Sequence, residues 1–243
     1  MKHICIFTGG NCPNKNSLET YFAYYGKPFY TIAADSGLES AINYGFIPDI
    51  VVGDMDSLND ISLLSKIDKN KIEEFPCDKD YSDTELALSK ALEKEEENKD
   101  EKVWITLLGG GGGRVDHLFA IFDIFSSDFA SLVKRPFDAW IPGNSDDEDE
   151  TQALYFLPKD RSAKITDAFH SDYISVCRTS RNFSSGYVET SGLKWEGSVF
   201  RKKGMPSLSN RIADDNEEGV ITMTARESDF VIILPIQAKY CLI

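Results

Sequence analysis

Apolar runs and helical patterns alternate through the first half of the chain, and this alternation restricts the fold more than any other feature. Runs rich in Ile, Val and Phe have the length of buried strands and cover residues 4–10, 28–35, 49–54 and 102–110. The segments between them have helical spacing, at 17–25, 36–45, 59–66 and 82–97. Parallel strands need long crossover connections, usually helices, and strands covered on both faces are apolar throughout. The pattern therefore predicts a Rossmann-like α/β domain built on a parallel sheet.

Two helices carry signals for where they begin. Ser82 and Glu85 have the spacing of a capping box, in which each side chain accepts a hydrogen bond from the other residue's backbone N–H. A further helix is expected to start near Arg114 and to contain the run RVDHLFAIFDIF. Polar residues lie around both predicted starts, so these helix ends are candidate places for chemistry.

The second half of the chain has a different texture. After a strand-like run near residue 140 comes an acidic stretch at 146–150. Short strand-like runs separated by Gly, Ser, Asn and Asp follow, at 152–158, 173–178, 186–192, 219–225 and 229–236. Closely spaced short strands are typical of an antiparallel sandwich or barrel. We predict an α/β domain over 1–145 and a smaller all-β sandwich domain over 146–243.

Composition excludes several classes of protein. A net charge of −14 argues against a general nucleic-acid surface, which needs clustered Lys and Arg. No run approaches the roughly 18 apolar residues that suggest a membrane span, so no membrane partner is expected. The five cysteines are scattered, and none forms a C-x-x-C pair, which argues against a disulfide framework or a zinc site. A reducing cytoplasm is the expected location.

Acidic residues are concentrated where the predicted strands end. Asp35 follows the second strand, and Asp54 and Asp56 follow the third. Asp80 and Asp83 lie at the start of the capped helix. The fourth strand is followed by a glycine run and then by Arg114, Asp116 and His117. Because ligands bind beyond the carboxyl ends of parallel strands, all these residues are expected at one edge of the sheet.

Several carboxylates brought together repel one another unless a cation neutralises them. Mg²⁺ prefers oxygen ligands and commonly bridges carboxylates to substrate phosphates. Glycines allow backbone N–H groups to approach a phosphate, and an arginine can bind phosphate oxygens with two parallel hydrogen bonds. Taken singly, the D-x-D turn is more often a local turn or cap, and the glycine run is as often a flexible loop. Taken together, they indicate a magnesium–nucleotide site.

Six motifs, in order, resemble the thiamin pyrophosphokinase family. The first four are ADSG, GDMDS, KDYSDTELAL and GGGGRVDH. SGLKW and GMPSLSN follow in the second half, so the resemblance extends over about residues 33 to 210. It implies an N-terminal α/β domain, a C-terminal β-sandwich and a homodimer with active sites at the subunit interface. It also implies Mg²⁺-dependent transfer of pyrophosphate from ATP to the hydroxyl of thiamin, with release of AMP.

The resemblance also implies roles for individual residues. The catalytic acids are Asp54, Asp56, Asp83 and Asp80, and the first three are the metal ligands. The ATP-side residues are Asp35, Gly112, Gly113, Arg114, Asp116 and His117. The thiamin-side residues are Trp195, Ser207, Ser209 and Asn210. From its residue type alone, Trp195 is more often a core aromatic than a ligand-binding residue.

Two other functions remain open. A nucleotide-sugar transferase also places an Asp-x-Asp at a strand end to hold a metal, which explains Asp54 and Asp56 but not the second acid pair. A non-catalytic thiamin or nucleotide sensor is the other alternative, and the presence of all the acids argues against it.

Overall fold

The computed structural model describes residues 1–125, 133–143, 151–179, 186–196 and 207–243. Its first half is a parallel sheet with helices on both faces. The strands are β1 (Lys2–Phe7), β2 (Tyr30–Ala34), β3 (Ile50–Gly53), β4 (Ile72–Glu74), β5 (Val103–Leu108) and β6 (Ala139–Ile141). The α-helices are α1 (Lys15–Tyr25), α2 (Gly37–Asn43), α3 (Asp83–Glu96) and α4 (Val115–Asp123). The predicted α/β fold is confirmed.

Antiparallel strands extend this sheet and form a second one. The strands that extend it are β7 (Gln152–Leu157), β9 (Ile174–Arg178), β11 (Ser207–Asn210) and β13 (Phe230–Pro235). The second sheet contains β8 (Ser162–Thr166), β10 (Tyr187–Ser191), β12 (Ile221–Arg226) and β14 (Lys239–Leu242). The order in the large sheet is β11-β9-β13-β7-β6-β5-β1-β2-β3-β4, and in the small one β10-β12-β8-β14. The second half is therefore antiparallel, as predicted, but its organisation as a separate sandwich domain stays a prediction, because four of its strands continue the large sheet.

The two halves of the chain share the large sheet. β6 pairs with β7 through Ala139 opposite Tyr155 and Trp140 opposite Leu154. The domain boundary between residues 145 and 146 stays a prediction, because the sheet is continuous across it and the acidic run 146–150 lies outside the described residues.

Alternate residues of β1 pack into different cores. Cys5 and Phe7 share a buried cluster with α1 residues and with the small sheet. Ile4 and Ile6 share another with α3 and α4, so both faces of the strand are buried, as its apolar sequence predicts. The segment expected to be helical at 59–66 forms a 3-10 helix over Ile61–Lys66 instead. In the part of the chain that the structure describes, no helix is both long and apolar enough to cross a membrane.

The order of the parallel strands creates a switch point beside β1. The chain runs from β1 outward through β2, β3 and β4, then returns to the other side of β1 as β5. Loops after β1 and β5 therefore diverge and leave a crevice between them, which is where open α/β sheets bind ligands.

Candidate functional site

A cleft of about 410 Å³ opens at this switch point. Thr8, Gly9 and Gly10 line it from the loop after β1, and Asp35 and Ser36 line it from the loop after β2. The first residues of α3, the glycine run and α4 complete the wall, contributing Ser82, Asp83, Thr84, Gly110, Gly112, Gly113, Arg114, His117 and Ile121. The strand ends named from the sequence therefore converge on one cleft.

Three carboxylates meet at the side of the cleft near β3. Asp35, Asp54 and Asp83 each offer a carboxylate oxygen, and these oxygens lie within 4.8 Å of one another. We call these three residues the acid cluster. Asp35 is buried and Asp83 is half-buried. The cluster joins the residue after β2, the residue after β3 and the first residue of α3.

The backbone around the acid cluster is tightly fitted. Gly53 has a φ of 142°, and a Cβ there would lie 3.1 Å from Asp35 Cβ and 3.2 Å from Asp83 Oδ1. A side chain at this position would push the cluster apart, which explains the glycine before Asp54. Asp35 and Met55 are non-glycine residues with φ values of 47° and 62°. Such conformations cost energy and are concentrated at functional sites, where the surrounding structure holds them.

Asp56 lies in a second group that shares Asp54. Ligand atoms of Asp54, Asp56 and Cys77 lie within 4.8 Å of one another, and both Asp56 and Cys77 are exposed. The backbone N–H of Asp56 donates to Asp54 Oδ1 at 3.3 Å. Asp80 is exposed and belongs to neither group among the described residues. The structure thus brings Asp54 together with Asp83 and Asp35 in one group and with Asp56 in another, so the three predicted metal ligands do not form a single group, and Asp80 lies in neither.

Lys79 is a site residue that the sequence analysis missed. Its Nζ lies 3.2 Å from Asp54 Oδ2 and 3.2 Å from Asp83 Oδ1. Lys79 lies before the start of α3, and its partner Asp54 is 25 positions away in the sequence, so no local pattern indicates this pairing. In the sequence it stands between Asp78 and Asp80 and resembles an ordinary surface charge.

The cluster's groups perturb one another's protonation. Desolvation raises the pKa of Asp83, as do the charges of Asp54 and Asp35, and Lys79 offsets only part of this rise. Desolvation also raises the pKa of Asp54, but the Asp56 N–H and Lys79 outweigh it and hold that pKa below its ordinary value. Burial lowers the pKa of Lys79, and its hydrogen bonds to the two carboxylates reverse this and raise it. Adjacent carboxyl groups with opposite shifts are typical of functional sites.

The acid cluster fits a hard divalent cation. Asp35 Oδ1 is buried and accepts no hydrogen bond from any described residue, and the buried Asp83 Oδ1 has the Lys79 ammonium beside it at 3.2 Å. Buried carboxylate oxygens without donors are costly unless a cation or water satisfies them. Carboxylate oxygens are the ligands that Mg²⁺ prefers.

The glycine run forms the opposite wall of the cleft. Gly112 and Gly113 have φ values of 65° and 66°, which a residue with a side chain rarely adopts. Arg114 precedes α4, and its guanidinium makes two hydrogen bonds to Asp116, from Nε at 3.1 Å and from NH2 at 2.5 Å. This pairing lowers the pKa of Asp116 to about 2. Arg114 and His117 line the cleft and Asp116 does not.

Four other predicted site residues lie outside this cleft: Trp195, Ser207, Ser209 and Asn210. Trp195 is 47% exposed, so it is not a core aromatic residue. Asn210 is buried and hydrogen bonded to the Trp195 backbone, and the backbone N–H of Ser209 donates to Ser175 Oγ at 3.1 Å. Ser207 is half-buried at the start of β11. Among the described residues, everything that lines the cleft lies between Thr8 and Ile124, so the thiamin-side residues are not part of it.

Comparison with known proteins gives consistent results. A family model described as "Thiamin pyrophosphokinase, catalytic domain" matches residues 24–130. The thiamine pyrophosphokinase of Bacillus subtilis (strain 168) is 27% identical over 174 residues, covering 65% of this chain and 74% of that protein.

Solved structures of similar proteins have the same fold over nearly the whole of this chain. A thiamin pyrophosphokinase family protein from Enterococcus faecalis superposes with a TM-score of 0.66 at 17% identity, covering 97% of this chain and 99% of that one. Thiamin pyrophosphokinase from Candida albicans gives a TM-score of 0.65 at 15% identity, covering 96% and 89%. The segment that matches the thiamin pyrophosphokinase family model contains the acid cluster and the glycine run, so the chain is similar to this family at its candidate site.

Proposed function

We propose that this protein is an ATP:thiamin diphosphotransferase, which transfers pyrophosphate from ATP to the hydroxyl of thiamin and releases AMP. The observation that carries the proposal is the acid cluster at the edge of a glycine-lined cleft. A nucleotide's phosphates carry several negative charges, and catalysis of their transfer consists mostly of positioning and charge neutralisation. Carboxylates at one wall and backbone N–H groups at the other suit a substrate that arrives with Mg²⁺.

The residues have distinct tasks in this proposal. Asp35, Asp54 and Asp83 would hold Mg²⁺, which neutralises charge that develops on the transferred group. Asp56 and Asp80 are exposed acids outside the cluster, and the resemblance makes them members of the same catalytic set. The glycine run and the start of α4 provide backbone N–H groups for phosphate oxygens, and Arg114 adds a planar pair of donors. Asp116 orients Arg114, and His117 lines the nucleotide side.

Thiamin binding is proposed at Trp195. Thiamin is cationic and aromatic, and an indole face attracts such a ring by stacking and cation–π contact, worth about 0.5–2 kcal/mol. Asn210 fixes the backbone of Trp195, and Ser207 and Ser209 lie on the adjoining strand β11. Since Trp195 does not line the cleft, a homodimer in which a second copy supplies Trp195 would complete the site. We propose a cytoplasmic homodimer of this kind.

A single assay tests the function. Purified protein is incubated with thiamin, ATP and Mg²⁺, and both AMP and thiamin diphosphate are quantified by chromatography. The proposal expects the two products in equal amounts and neither without thiamin. Thiamin binding without product would support the sensor alternative. Use of a nucleoside diphosphate sugar, with no AMP from ATP and thiamin, would support the transferase alternative.

A further inference from the structure

Lys79 pairs with two of the three carboxylates that would hold a cation in the acid cluster. Its Nζ is equally distant, at 3.2 Å, from Asp54 Oδ2 and Asp83 Oδ1. The Lys79 side chain is only 14% exposed, so the ammonium is largely removed from water. These two carboxylates are also two of the three whose oxygens converge within 4.8 Å.

An ammonium and a metal ion compete for these carboxylates. Mg²⁺ requires ligand oxygens at about 2.0–2.1 Å in near-octahedral geometry. An ammonium held between two carboxylates obstructs that arrangement, and its positive charge repels the incoming ion. A divalent cation held by all three carboxylates is therefore expected to move Lys79 Nζ away from at least one of its two partners.

We propose that Lys79 is a tethered cation that neutralises the acid cluster in the metal-free protein and is displaced when a divalent cation binds. This inference rests on the metal-binding role of the acid cluster in the proposed function. One ammonium neutralises only part of the charge of three carboxylates, so the site still attracts a divalent ion. Lys79 thus stabilises the empty site and lowers its affinity for metal.

Lys90 provides a matched control. Lys90 also pairs with two carboxylates, those of Glu73 at 2.8 Å and Glu93 at 3.3 Å. Lys90 lies on α3, and Lys79 lies shortly before that helix. The carboxylates around Lys90 are more exposed than Asp54. The exposed fraction of the side chain is 39% for Glu73 and 62% for Glu93, against 11% for Asp54. Removing the Lys90 charge changes the net charge equally without touching the acid cluster.

The test measures Mn²⁺ binding to the nucleotide-free protein by electron paramagnetic resonance of the free ion. Wild type, Lys79→Gln, Lys90→Gln and Asp54→Asn are compared at the same ionic strength. We expect Lys79→Gln to bind Mn²⁺ about tenfold more tightly or better, because a nearby positive charge has been removed. Lys90→Gln should bind as the wild type does, and Asp54→Asn more weakly. In EDTA, Lys79→Gln should melt at a lower temperature than the wild type, and Mn²⁺ should raise its Tm by more.

The outcomes separate the two hypotheses. If Asp54→Asn weakens Mn²⁺ binding while Lys79→Gln leaves it unchanged or weaker, the inference about Lys79 is wrong and the metal site stands. Equal gains in Lys79→Gln and Lys90→Gln would attribute the effect to net charge and also overturn it. If Asp54→Asn binds Mn²⁺ normally, the metal assignment in the proposed function fails, and the inference with it.

A second measurement follows metal binding in the wild-type protein and needs a variant only to assign one signal. The protein is labelled with ¹⁵N, and the ammonium signals of its lysine side chains are recorded by nuclear magnetic resonance. The signal that is lost in Lys79→Arg is assigned to Lys79. Adding Mg²⁺ should shift the Lys79 signal and leave that of Lys90 in place. A Lys79 signal that does not respond to saturating Mg²⁺ would contradict displacement.

Discussion

Asn210 holds the backbone of Trp195 with both ends of its side-chain amide. Its Nδ2 donates to Trp195 O at 2.6 Å, and its Oδ1 accepts from Trp195 N at 3.2 Å. The Oδ1 also accepts from the backbone N–H of Arg211 at 2.9 Å. With its hydrogen bonds used in this way, the buried Asn210 positions an exposed indole rather than presenting its own amide to a ligand.

We expect Asn210→Asp to weaken the use of thiamin more than the use of ATP. The carboxylate keeps the acceptor but loses the donor to Trp195 O, and an unsatisfied buried group costs about 1–3 kcal/mol. The KM for thiamin should rise severalfold while the KM for ATP changes little. Asn98→Asp is the control, since Asn98 Nδ2 also donates to a backbone carbonyl, that of Lys94, at 2.8 Å. A normal KM for thiamin in a folded Asn210→Asp protein would contradict the positioning role.

Substitutions at Asp54 and Asp56 test the catalytic acids. Asn keeps the shape and removes the charge, and we expect turnover at saturating Mg²⁺ to fall by about a hundredfold or more at Asp54. The loss should be smaller at Asp56, which is exposed. Asp56 lies near Asp54 and Cys77 but is not part of the acid cluster. Asp60→Asn serves as the control, because Asp60 caps the nearby 3-10 helix through Ser62 N. Near-normal turnover in both test variants would refute the metal assignment.

Replacing Arg114 by Lys should not be conservative. Arg114 offers two parallel donors, which Asp116 now occupies and which phosphate oxygens would accept in the loaded protein, and Lys has no planar fork. We expect a higher KM for ATP, a lower kcat, or both, measured by AMP formation. Arg135→Lys is the comparison: Arg135 pairs with Glu95 and Asp138 away from the cleft, so its loss should affect stability rather than kinetics. A defect confined to thiamin would assign Arg114 to the other substrate.

His3 makes folding stability depend on pH. Its Nδ1 donates to Gly26 O at 2.7 Å and its Nε2 accepts from Thr106 Oγ1 at 2.9 Å, and burial lowers its pKa to about 4. A lowered folded-state pKa means that the unfolded chain binds the proton more readily between pH 6.5 and 4. Stability should therefore fall as the pH falls through this window, by up to about 3 kcal/mol from this group.

Denaturant unfolding from pH 7 to 4 measures this dependence. His3→Gln should be less stable than the wild type at pH 7 and should lose less on acidification. His170→Gln, at an exposed position, should follow the wild-type curve. A His3→Gln curve parallel to that of the wild type would show that other groups cause the acid sensitivity.

The sequence was sufficient to predict the parallel strands and the acids at their ends. Apolar runs of strand length identify β1, β2, β3 and β5, and the position after each strand does not depend on distant pairing. The capping box of Ser82 and Glu85 is confirmed, with both hydrogen bonds present. Signals of this kind involve only residues that are close together in the sequence, which is why the sequence alone predicts them.

Features that depend on distant contacts were not predictable. β4 has only three residues, and β8 and β14 carry polar residues that give them no clear strand pattern. The continuity of the large sheet depends on β6 pairing with β7, which no local pattern encodes. Lys79 was missed for the same reason, because its role follows from its two carboxylate partners and not from its residue type.

The central claim is that the acid cluster and Trp195 act together in one site formed between two copies of the chain. Asp83→Asn and Trp195→Ala are prepared separately, and each is expected to be nearly inactive. The two proteins are then unfolded, mixed in equal amounts and refolded, and thiamin diphosphate formation is measured. In a two-fold dimer about half of the molecules are mixed and half of their sites carry neither lesion, so about a quarter of wild-type activity should return. If properly refolded mixtures regain no activity, each site is built within one chain and the account is contradicted.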